Sequence, residues 1–493
     1  MLAVEVNDHG ETLVEVDVDP GTPVSSVVLK NGVVHLQKGQ SLPSPPGAIF
    51  HGVGSLNLSN LGQIGWNLAL ADTLLVHWAL YLDSTLLFQE GDPALASGLT
   101  PGSPYLAFFS TRTNDAGDFA LRAWVDDANI GDAKDDAMIR VDAAGQQTLL
   151  GVEGGAPPGF PGLAIQGIPY DRRAYDIDGQ GNVLWQCDTT ALSHKDHMLY
   201  LNHGLRVREG DPSPVPGRHW DWDFNLPECA LNDSGDLVLS GALDGDGATD
   251  QVIVRNGDVF VQEGDSLPAF AGFKLSYYGS SPVEISDRHA PDGEGDILWY
   301  AEWDDPNTLV DTGLFLDEKP LLLEGVDAIG GVTIDAIGAA ADPSAMSDDG
   351  RSIVAVVDLV GGVSTAVLLE LGPWRGLGKP LAGTTSPKLR GFGPLSGNQP
   401  VTLRLSRGKP GGVAHLVLGF SRVDAPFEGG TLVPSPDLVL FGLPIDADGF
   451  LELTTLWPAT VPAGTKLHLQ AWIPDAGGPG GYAASNALVG TSQ

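Results

Sequence analysis

Short stretches of alternating apolar and polar residues, separated by polar turns, run through the first three-quarters of the chain. Turns of the form N-D-x-G, or close variants, each join two such stretches; their glycines are Gly10, Gly62, Gly117, Gly181, Gly235, Gly295 and Gly350. These glycines lie 52 to 64 residues apart. Asn and Asp stabilise tight turns through their side chains, and glycine accepts a positive φ. The spacing predicts seven repeats, each containing an antiparallel hairpin.

A second hairpin follows in each repeat and ends in E-G-D in several copies, as in MLYLNHGLRVREGD and QVIVRNGDVFVQEGD. Two hairpins give four strands, and a lone four-stranded sheet cannot bury both faces, whereas sheets arranged radially cover one another. The sequence therefore predicts an all-β protein with a seven-bladed β-propeller at residues 1–372. Six or eight blades also fit the pattern. The recurrent E-G-D acids are interpreted as structural, because function is expected in residues that do not repeat.

The N-D-x-G turns resemble the S-P-D-G hairpins of TolB-like propellers. The repeats as a whole resemble uncharacterised bacterial extracytoplasmic propeller proteins with I-N-D-x-G turns and E-G-D strand ends. These resemblances imply that the strand before each turn is innermost, as at residues 2–6 and 224–231. They also imply that the loops between second and third strands share one face with the links between blades.

The seventh repeat contains SIVAVVDL and TAVLLEL but no fourth-strand motif. Three explanations remain open: a strand upstream of Met1 completes the blade, the segment after Trp374 pairs there, or the blade has three strands.

From about Trp374 a different pattern of six or seven alternating strands begins, which is typical of a β-sandwich. The motifs LVLGFS, PFEGGTLVPSPD, LQAWIPD and SNALVGT resemble a C-terminal domain that recurs in secreted bacterial proteins. We expect an Ig-like accessory β-sandwich at residues 373–493, and the resemblance implies an extracytoplasmic location. Because the chain begins MLAVEVND, without a basic segment, we expect no signal sequence within it.

The net charge of the 493-residue chain is −37, which opposes binding to the phosphates of nucleic acids. The negative charge lies upstream of residue 375, where 17 basic and 56 acidic residues give −39, since the rest of the chain contains nine basic and seven acidic residues. No apolar run is long enough to span a bilayer. We therefore expect no nucleic-acid partner and no membrane insertion, and we expect a monomer.

The loop D-G-D-G-A-T-D is a candidate calcium site with Asp244, Asp246 and Asp250 as ligands. Carboxylates separated by glycines suit the oxygen shell of a hard cation. The loop resembles part of the calcium loop of integrin-type propeller repeats, although Ala242 stands where the first acid is usual. A solvated turn is the alternative.

The connection R-H-W-D-W-D-F is a candidate ligand-binding surface, in which aromatic faces beside carboxylates can stack sugars or enclose a cation. Its candidate residues are Arg218, His219, Trp220, Asp221, Trp222 and Asp223. Strand alternation gives the alternative, in which Trp220, Trp222 and Phe224 share one face and pack between blades.

Two further candidates rest on histidine and cysteine. His194, Asp196 and His197, with His219, offer a weak metal motif that lacks a defined third ligand. Cys187 and Cys229 fall at similar heights on neighbouring predicted blades, so a disulfide between them is geometrically plausible.

No catalytic motif stands out. The first functional hypothesis is a secreted or surface-displayed binding or scaffold protein that recognises a partner protein or glycan through the propeller loop face. The second is a carbohydrate-active hydrolase or lyase that uses carboxylates at the channel mouth.

Overall fold

The computed structural model describes residues 3–17, 26–71, 76–130, 135–169, 172–221, 228–266, 272–277, 283–287, 295–337, 343–447 and 449–493. This part of the chain is all-β, with helical turns only at Arg172–Ala174 and Pro479–Gly481. No helix in these ranges is long and apolar enough to cross a membrane.

The chain divides into two compact units. Unit 1 consists of Met1–Asn7 and Glu11–Leu368, and unit 2 consists of Asp8–Gly10 and Leu369–Gln493. The boundary expected from the sequence lies between residues 372 and 373.

Four sheets of unit 1 have four strands each, and neighbours in sequence are neighbours in the sheet. Sheet 1 contains β1 (Ala3–Val6), β2 (Thr12–Asp17), β3 (Ser26–Lys30) and β4 (Val33–Gln37). Sheet 2 contains β5 (Ile49–Leu58), β6 (Ile64–Ala71), β7 (Val76–Leu82) and β8 (Thr85–Gln89). Sheet 3 contains β9 (Tyr105–Thr113), β10 (Phe119–Val125), β11 (Asp135–Val141) and β12 (Gln147–Val152). Sheet 5, which follows sheet 4 in sequence, contains β18 (Cys229–Leu231), β19 (Leu237–Ala242), β20 (Gln251–Arg255) and β21 (Asp258–Gln262).

In the other three sheets of the described part of unit 1, two short strands share the edge that one strand occupies elsewhere. Sheet 4 contains β13 (Ile165–Gly167), β14 (Asp176–Ile177), β15 (Val183–Thr189), β16 (His197–Leu201) and β17 (Gly204–Arg208). Sheet 6 contains β22 (Leu275–Tyr277), β23 (Glu284–Ile285), β24 (Ile297–Trp303), β25 (Thr312–Leu316) and β26 (Lys319–Leu323). Sheet 7 contains β27 (Ala328–Ile329), β28 (Val332–Ile337), β29 (Ser344–Met346), β30 (Ser352–Leu359) and β31 (Val363–Glu370).

Each sheet is covered by its neighbours, because the apolar clusters of unit 1 draw residues from two consecutive sheets. One cluster joins sheets 1 and 2, and others join sheets 2 and 3, 3 and 4, 4 and 5, and 5 and 6. A further cluster joins the last sheet to the first, since Ala345, Val354 and Val356 pack with Val4 and Val14. Burial of apolar surface between sheets therefore stabilises what no single sheet could stabilise alone.

The edge strands that precede the turns follow the same succession. Strand β1 contacts β5, β5 contacts β9, β9 contacts β14, β14 contacts β18, β18 contacts β23, and β23 contacts β29. Strand β29 in turn contacts β1.

The first residue of the N-D-x-G turn has two roles. Asn232 Oδ1 accepts hydrogen bonds from the backbone N–H groups of Ser234 and Asp236, at 3.0 and 2.7 Å. Its Nδ2 donates to the backbone oxygen of Ser286 in the next repeat, at 2.6 Å. Asn114 donates to the backbone oxygen of Asp178 in the same way, at 2.8 Å, and Asn7 donates to that of Ser59, at 3.1 Å. We call the three hydrogen bonds that these asparagine side chains donate to the next repeat the inter-repeat latches.

The sixth turn departs from the predicted pattern. Six of the turn glycines have a positive φ, but Gly295 is not among the described glycines that do. Ser286 occupies the first turn position, and its N–H bonds to the backbone oxygen of Asp296. The residues between 287 and 295 lie outside the described part. The D-G-E-G motif is therefore not a copy of the four-residue turn, because Ser286, nine residues before Gly295, occupies the first turn position.

In the seventh sheet, β30 pairs with β28 and β29 on one side and with β31 on the other, and the short strand β27 pairs with β28. The segment after Trp374 does not pair with this sheet in the described part of the chain, because β32 (Trp374–Gly378) pairs with β42 (Ala487–Thr491) of unit 2.

Unit 2 contains two sheets and a hairpin. The larger sheet contains β32, β35 (Val413–Gly419), β38 (Leu438–Pro444), β40 (Lys466–Pro474), β41 (Tyr482–Ala484) and β42 (Ala487–Thr491). The smaller sheet contains β33 (Lys388–Phe392), β34 (Pro400–Ser406) and β39 (Leu451–Leu456), and the hairpin contains β36 (Arg422–Phe427) and β37 (Gly430–Pro434). An apolar core that includes Trp374, Leu405, Leu416 and Leu469 takes residues from both sheets, as in a β-sandwich.

We expect Asn232→Ala to lower the free energy of unfolding by about 2–4 kcal/mol, because buried turn amides and the Ser286 carbonyl lose their partner. Asn232→Asp keeps the acceptor for the turn, but it sets a carboxylate against the Asp236 carboxylate and the Ser286 carbonyl oxygen, so its loss should be at least as large. Urea denaturation of both variants measures this. Equal stability of Asn232→Ala and the wild type would show that the latch contributes nothing.

Candidate functional site

A cavity of about 140 Å³ lies in unit 1 at the turn end of the edge strands. Its lining comes from β1, β5, β9, β14, β18, β23 and β29 and from the turns that follow several of them. We call it the turn-end cavity. All seven sheets therefore contribute to one site.

The residue two places before the first turn position lines the cavity in six of the repeats: Glu5, Asn57, Arg112, Asp176, Ala230 and Glu284. These residue types do not repeat, although the backbone position does. The described lining contains seven carboxyl groups, those of Glu5, Asp115, Asp176, Asp233, Glu284, Asp287 and Asp348, and one guanidinium, that of Arg112.

Asp176 is tied to the next edge strand. One carboxylate oxygen accepts a hydrogen bond from the backbone N–H of Leu231, at 2.9 Å. In the same way, Glu284 accepts one from the N–H of Met346. Burial raises the pKa of Asp176, and the neighbouring Arg112 guanidinium opposes this rise. Arg112 Nε is itself buried and has no hydrogen-bond partner within the described residues.

The turns at the cavity mouth bring three carboxylates together. Asp233, Asp287 and Asp348 each place one oxygen within 4.8 Å of the others, with Asp287 buried, Asp233 half-buried and Asp348 exposed. Backbone groups hold two of them, since Asp287 Oδ1 accepts the N–H of Asp233 at 3.0 Å and Asp233 Oδ1 accepts that of Gly179. Carboxylate oxygens at such distances are suited to a hard cation.

The turn-end cavity can attract positive charge and can hold only a small group. Seven carboxyl groups against one guanidinium give it a negative potential, which low-dielectric walls strengthen. Its volume of about 140 Å³ leaves room for a few water-sized groups.

The predicted calcium loop is arranged around an arginine instead. Arg218 Nε donates to the backbone oxygen of Asp244, and Nη1 lies 3.2 Å from Thr249 Oγ1. Asp244 Oδ1 accepts the N–H of His219 at 2.7 Å, and Asp246 Oδ1 accepts the N–H of Ala248 at 3.1 Å. Asp250 pairs with Glu263. The three aspartates therefore face different partners, and they are not in the three-carboxylate group found among the described residues. A calcium site formed by these three stays a prediction, and in this structure the Arg218 guanidinium bonds to oxygen atoms of the same loop.

The predicted aromatic surface is also used internally where the structure describes it. Trp220 is 5% exposed and packs in the core between sheets 4 and 5. Arg218 and His219 bind the Asp244 loop, and the N–H of Asp221 donates to the backbone oxygen of Ala242 at 3.0 Å. Trp220 therefore follows the alternative interpretation, packing between sheets. Trp222, Asp223 and Phe224 lie outside the described residues.

The weak histidine motif is not assembled. His197 is 2% exposed, and its two ring nitrogens lie 2.7 Å from Asp188 Oδ1 and 2.8 Å from Gln186 Oε1. His194 is exposed, and His219 pairs with Asp244. The metal site stays a prediction, and both ring nitrogens of His197 have protein partners in this structure.

The predicted disulfide is absent, because Cys187 and Cys229 are both buried free thiols. Cys187 packs in the cluster between sheets 3 and 4, and Cys229 in the cluster between sheets 4 and 5. The two side chains therefore lie on opposite faces of sheet 4. Because successive side chains of a strand point to opposite faces, Cys187 points towards sheet 3, away from Cys229. Burial raises the pKa of both thiols.

The E-G-D acids have structural contacts. Asp92 accepts the N–H of Gln89 at 2.9 Å, and Asp265 accepts that of Gln262 at 2.8 Å. Each closes the turn that ends its hairpin.

Sequence reasoning missed the residues of the turn-end cavity because it looked for unusual loops. The sequence contains part of the missing signal, because Glu5, Arg112 and Asp176 stand two places before their turns, where other repeats have neutral residues. Glu284 could not be found in this way, since the D-G-E-G motif predicts a turn at residues 292–295 and the structure has Ser286 at the first turn position.

Comparison with known proteins adds a family of unknown function. Residues 77–318 match the model of a family described only as a family of unknown function (DUF7453). This stretch is a little less than half of the chain and contains strands of sheets 2 to 6. No curated protein matches the chain.

We expect Arg218→Gln to increase amide hydrogen exchange in the segment 243–250, because the guanidinium that joins its backbone oxygens is lost. Mass spectrometry of the exchanged peptides measures this. Arg206→Gln, at an exposed arginine, removes the same charge and should leave the segment unchanged. Unaltered exchange in Arg218→Gln would mean that the loop is held by its own turns.

A thiol titration of denatured, unreduced protein should find two free thiols per chain, because the two sulfur atoms lie on opposite faces of sheet 4. The absence of free thiols in protein purified without reductant would contradict the placement of both side chains.

Proposed function

We propose that unit 1 is a seven-bladed β-propeller whose blades are sheets 1 to 7 and whose innermost strands surround the turn-end cavity. Three observations support this arrangement. Consecutive sheets share apolar clusters, the edge strands contact one another in sequence order, and the last sheet packs against the first. The inter-repeat latches add a hydrogen bond between neighbouring repeats at the turn end.

We further propose that the protein is a binding module of an extracytoplasmic compartment that recognises a small molecule or partner protein through a positively charged group. The observation that carries this proposal is the lining of the turn-end cavity, with seven carboxyl groups and one guanidinium. Carboxylates that lie close together repel one another, and a cation between them would attract each of them. Arg112 Nε offers a donor for an acceptor atom of the same ligand.

The position of this site differs from the loop face that the sequence indicated. Arg218, His219 and Trp220 bind their own neighbours, whereas the cavity residues converge on a shared space. Sequence features that repeat maintain the sheets, and those that vary line the cavity.

A carbohydrate-active enzyme is the second candidate, favoured by the buried carboxyl group of Asp176, whose pKa is raised beside other carboxyl groups. Such a group can serve as a general acid. The cavity of about 140 Å³ is small for this role, since pockets that enclose drug-sized ligands usually occupy about 300–1,000 Å³. Binding of a small cationic group therefore fits the geometry better.

Isothermal titration with putrescine, lysine and calcium chloride tests the binding proposal. We expect at least one of these probes to bind the wild type, and Glu5→Gln to weaken it about tenfold, the effect of losing roughly 1.4 kcal/mol of charge attraction. Glu318→Gln removes an equal charge from an exposed site on the same unit and should leave the affinity unchanged.

Three outcomes would overturn this proposal: no probe binds, Glu5→Gln binds like the wild type, or Glu318→Gln weakens binding as much as Glu5→Gln. The third outcome would mean that the affinity comes from the negative charge of the protein as a whole. Release of reducing sugar from a glycan panel, abolished in Asp176→Asn, would instead favour the enzyme.

A further inference from the structure

Arg112 is the one positively charged side chain in the described lining of the turn-end cavity, and it has no partner among the described residues. It lies near the end of β9, where the side chain is half-buried and its Nε is buried. Within the described part of the chain, the guanidinium forms no hydrogen bond and no ion pair, although seven carboxyl groups belong to the same lining. A guanidinium that is partly removed from water without an acceptor is unfavourable, so this group is available to a ligand.

Two other arginines of sheet 3 have the partner that Arg112 lacks. Arg122 forms an ion pair with Asp136 at 2.6 Å, and Arg140 forms one with Asp118 at 2.7 Å. Both distances are those of charge-assisted hydrogen bonds. Arg112 lacks such a bond although acids surround the cavity, so its guanidinium borders the cavity space and not a protein carboxylate.

Asp176 is the complementary group on the neighbouring edge strand. Strands β9 and β14 are in contact, and Asp176 lies two places before the first turn position of its repeat, as Arg112 does. The two oxygens of Asp176 accept the backbone N–H groups of Leu231 and Ile177, both at 2.9 Å. These donors are neutral, and Asp176 forms no ion pair with a described residue. The cavity therefore contains an arginine and an aspartate on adjacent strands, each without an ion-pair partner.

Charge and size limit the ligands that can use both groups. A simple carboxylate would bind Arg112 but would be repelled by seven acids, and a metal ion or a diamine would leave the guanidinium without an acceptor. A zwitterion satisfies both groups, because its ammonium binds carboxylates while its carboxylate accepts two parallel hydrogen bonds from the guanidinium. The cavity volume of about 140 Å³ is close to the roughly 150 Å³ of a cavity that encloses benzene, so about six non-hydrogen atoms fit.

We propose that the ligand of the turn-end cavity is a small zwitterionic amino acid, whose carboxylate binds Arg112 and whose ammonium group binds the carboxyl groups beside it. This inference rests on the binding function proposed above and names the class of molecule for it. The cavity volume restricts this class to amino acids of about six non-hydrogen atoms, such as alanine, β-alanine and γ-aminobutyrate. Arg112 is then a specificity-determining residue, because it distinguishes an amino acid from an amine with the same carbon chain.

Isothermal titration of the full chain with matched pairs of probes tests this inference. Alanine and β-alanine are each compared with ethylamine, and γ-aminobutyrate is compared with propylamine, since each amine is the amino acid without its carboxylate. We expect at least one amino acid to bind the wild type about tenfold more tightly than its amine, the effect of one charge-assisted interaction. Propionate, which has a carboxylate but no ammonium group, should not bind.

Substitutions at the two kinds of charged group should act differently on each pair. Arg112→Gln should lower the affinity for the amino acid to that for the amine, without weakening the amine. Glu5→Gln should weaken both probes by the same factor, so that their ratio is kept. Arg206→Gln, at an exposed arginine of the same unit, should leave the ratio unchanged. If Arg112→Gln does not fold, Arg112→Lys keeps the charge but loses the two parallel bonds, and it should reduce the preference for the amino acid.

An amine that binds the wild type as tightly as its amino acid would overturn this inference and leave the proposed binding function intact. If no amino acid binds, the inference fails, and the binding function fails with it only if putrescine and calcium do not bind either. A preference for the amino acid that survives in Arg112→Gln would show that the carboxylate binds elsewhere. A preference that disappears in Arg206→Gln would assign it to the charge of the whole protein, and either result would overturn the inference.

Discussion

A four-stranded antiparallel sheet has two faces, and a sheet in which both faces are apolar cannot bury them without neighbouring sheets. In unit 1 every described apolar cluster draws on two sheets, either two that are consecutive in sequence or the last and the first. The N-D-x-G turn serves the same end through hydrogen bonds. Its first residue closes its own hairpin and, where it is asparagine, reaches the backbone of the next repeat. Local turn chemistry and cohesion between repeats thus use the same side chain.

The two roles of the first turn residue explain which positions can differ from one repeat to the next. Turn residues and strand residues that face neighbouring sheets are constrained by packing and by the latches, but a side chain that faces the cavity meets few such demands. Glu5, Arg112, Asp176 and Glu284 occupy equivalent backbone positions and carry different groups. The proposed binding function depends on this freedom, because a single site needs residues that differ around a repeating scaffold.

Arg218 shows that the composition of a loop does not reveal which distant residue binds it. The acids and glycines of D-G-D-G-A-T-D are those that a calcium loop requires, and the negative charge and the turn are present. The positive charge comes from a residue 26 positions before Asp244, on the connection between sheets, and it binds the backbone oxygen of that aspartate.

The sequence by itself determined that the protein is all-β, that it contains repeats joined by N-D-x-G turns, and that the E-G-D acids close turns. These properties follow from period-two alternation, from the side-chain chemistry of Asn and Asp, and from the positive φ that glycine accepts, all of which act within a few residues. Tertiary structure decided which faces of sheet 4 carry Cys187 and Cys229, that Trp220 is buried between sheets, and that Arg218 occupies the Asp244 loop. It also decided that Glu5, Asp176 and Glu284 share one cavity. These contacts join residues that are far apart in the chain, and their geometry depends on how sheets pack, which no short stretch of sequence contains.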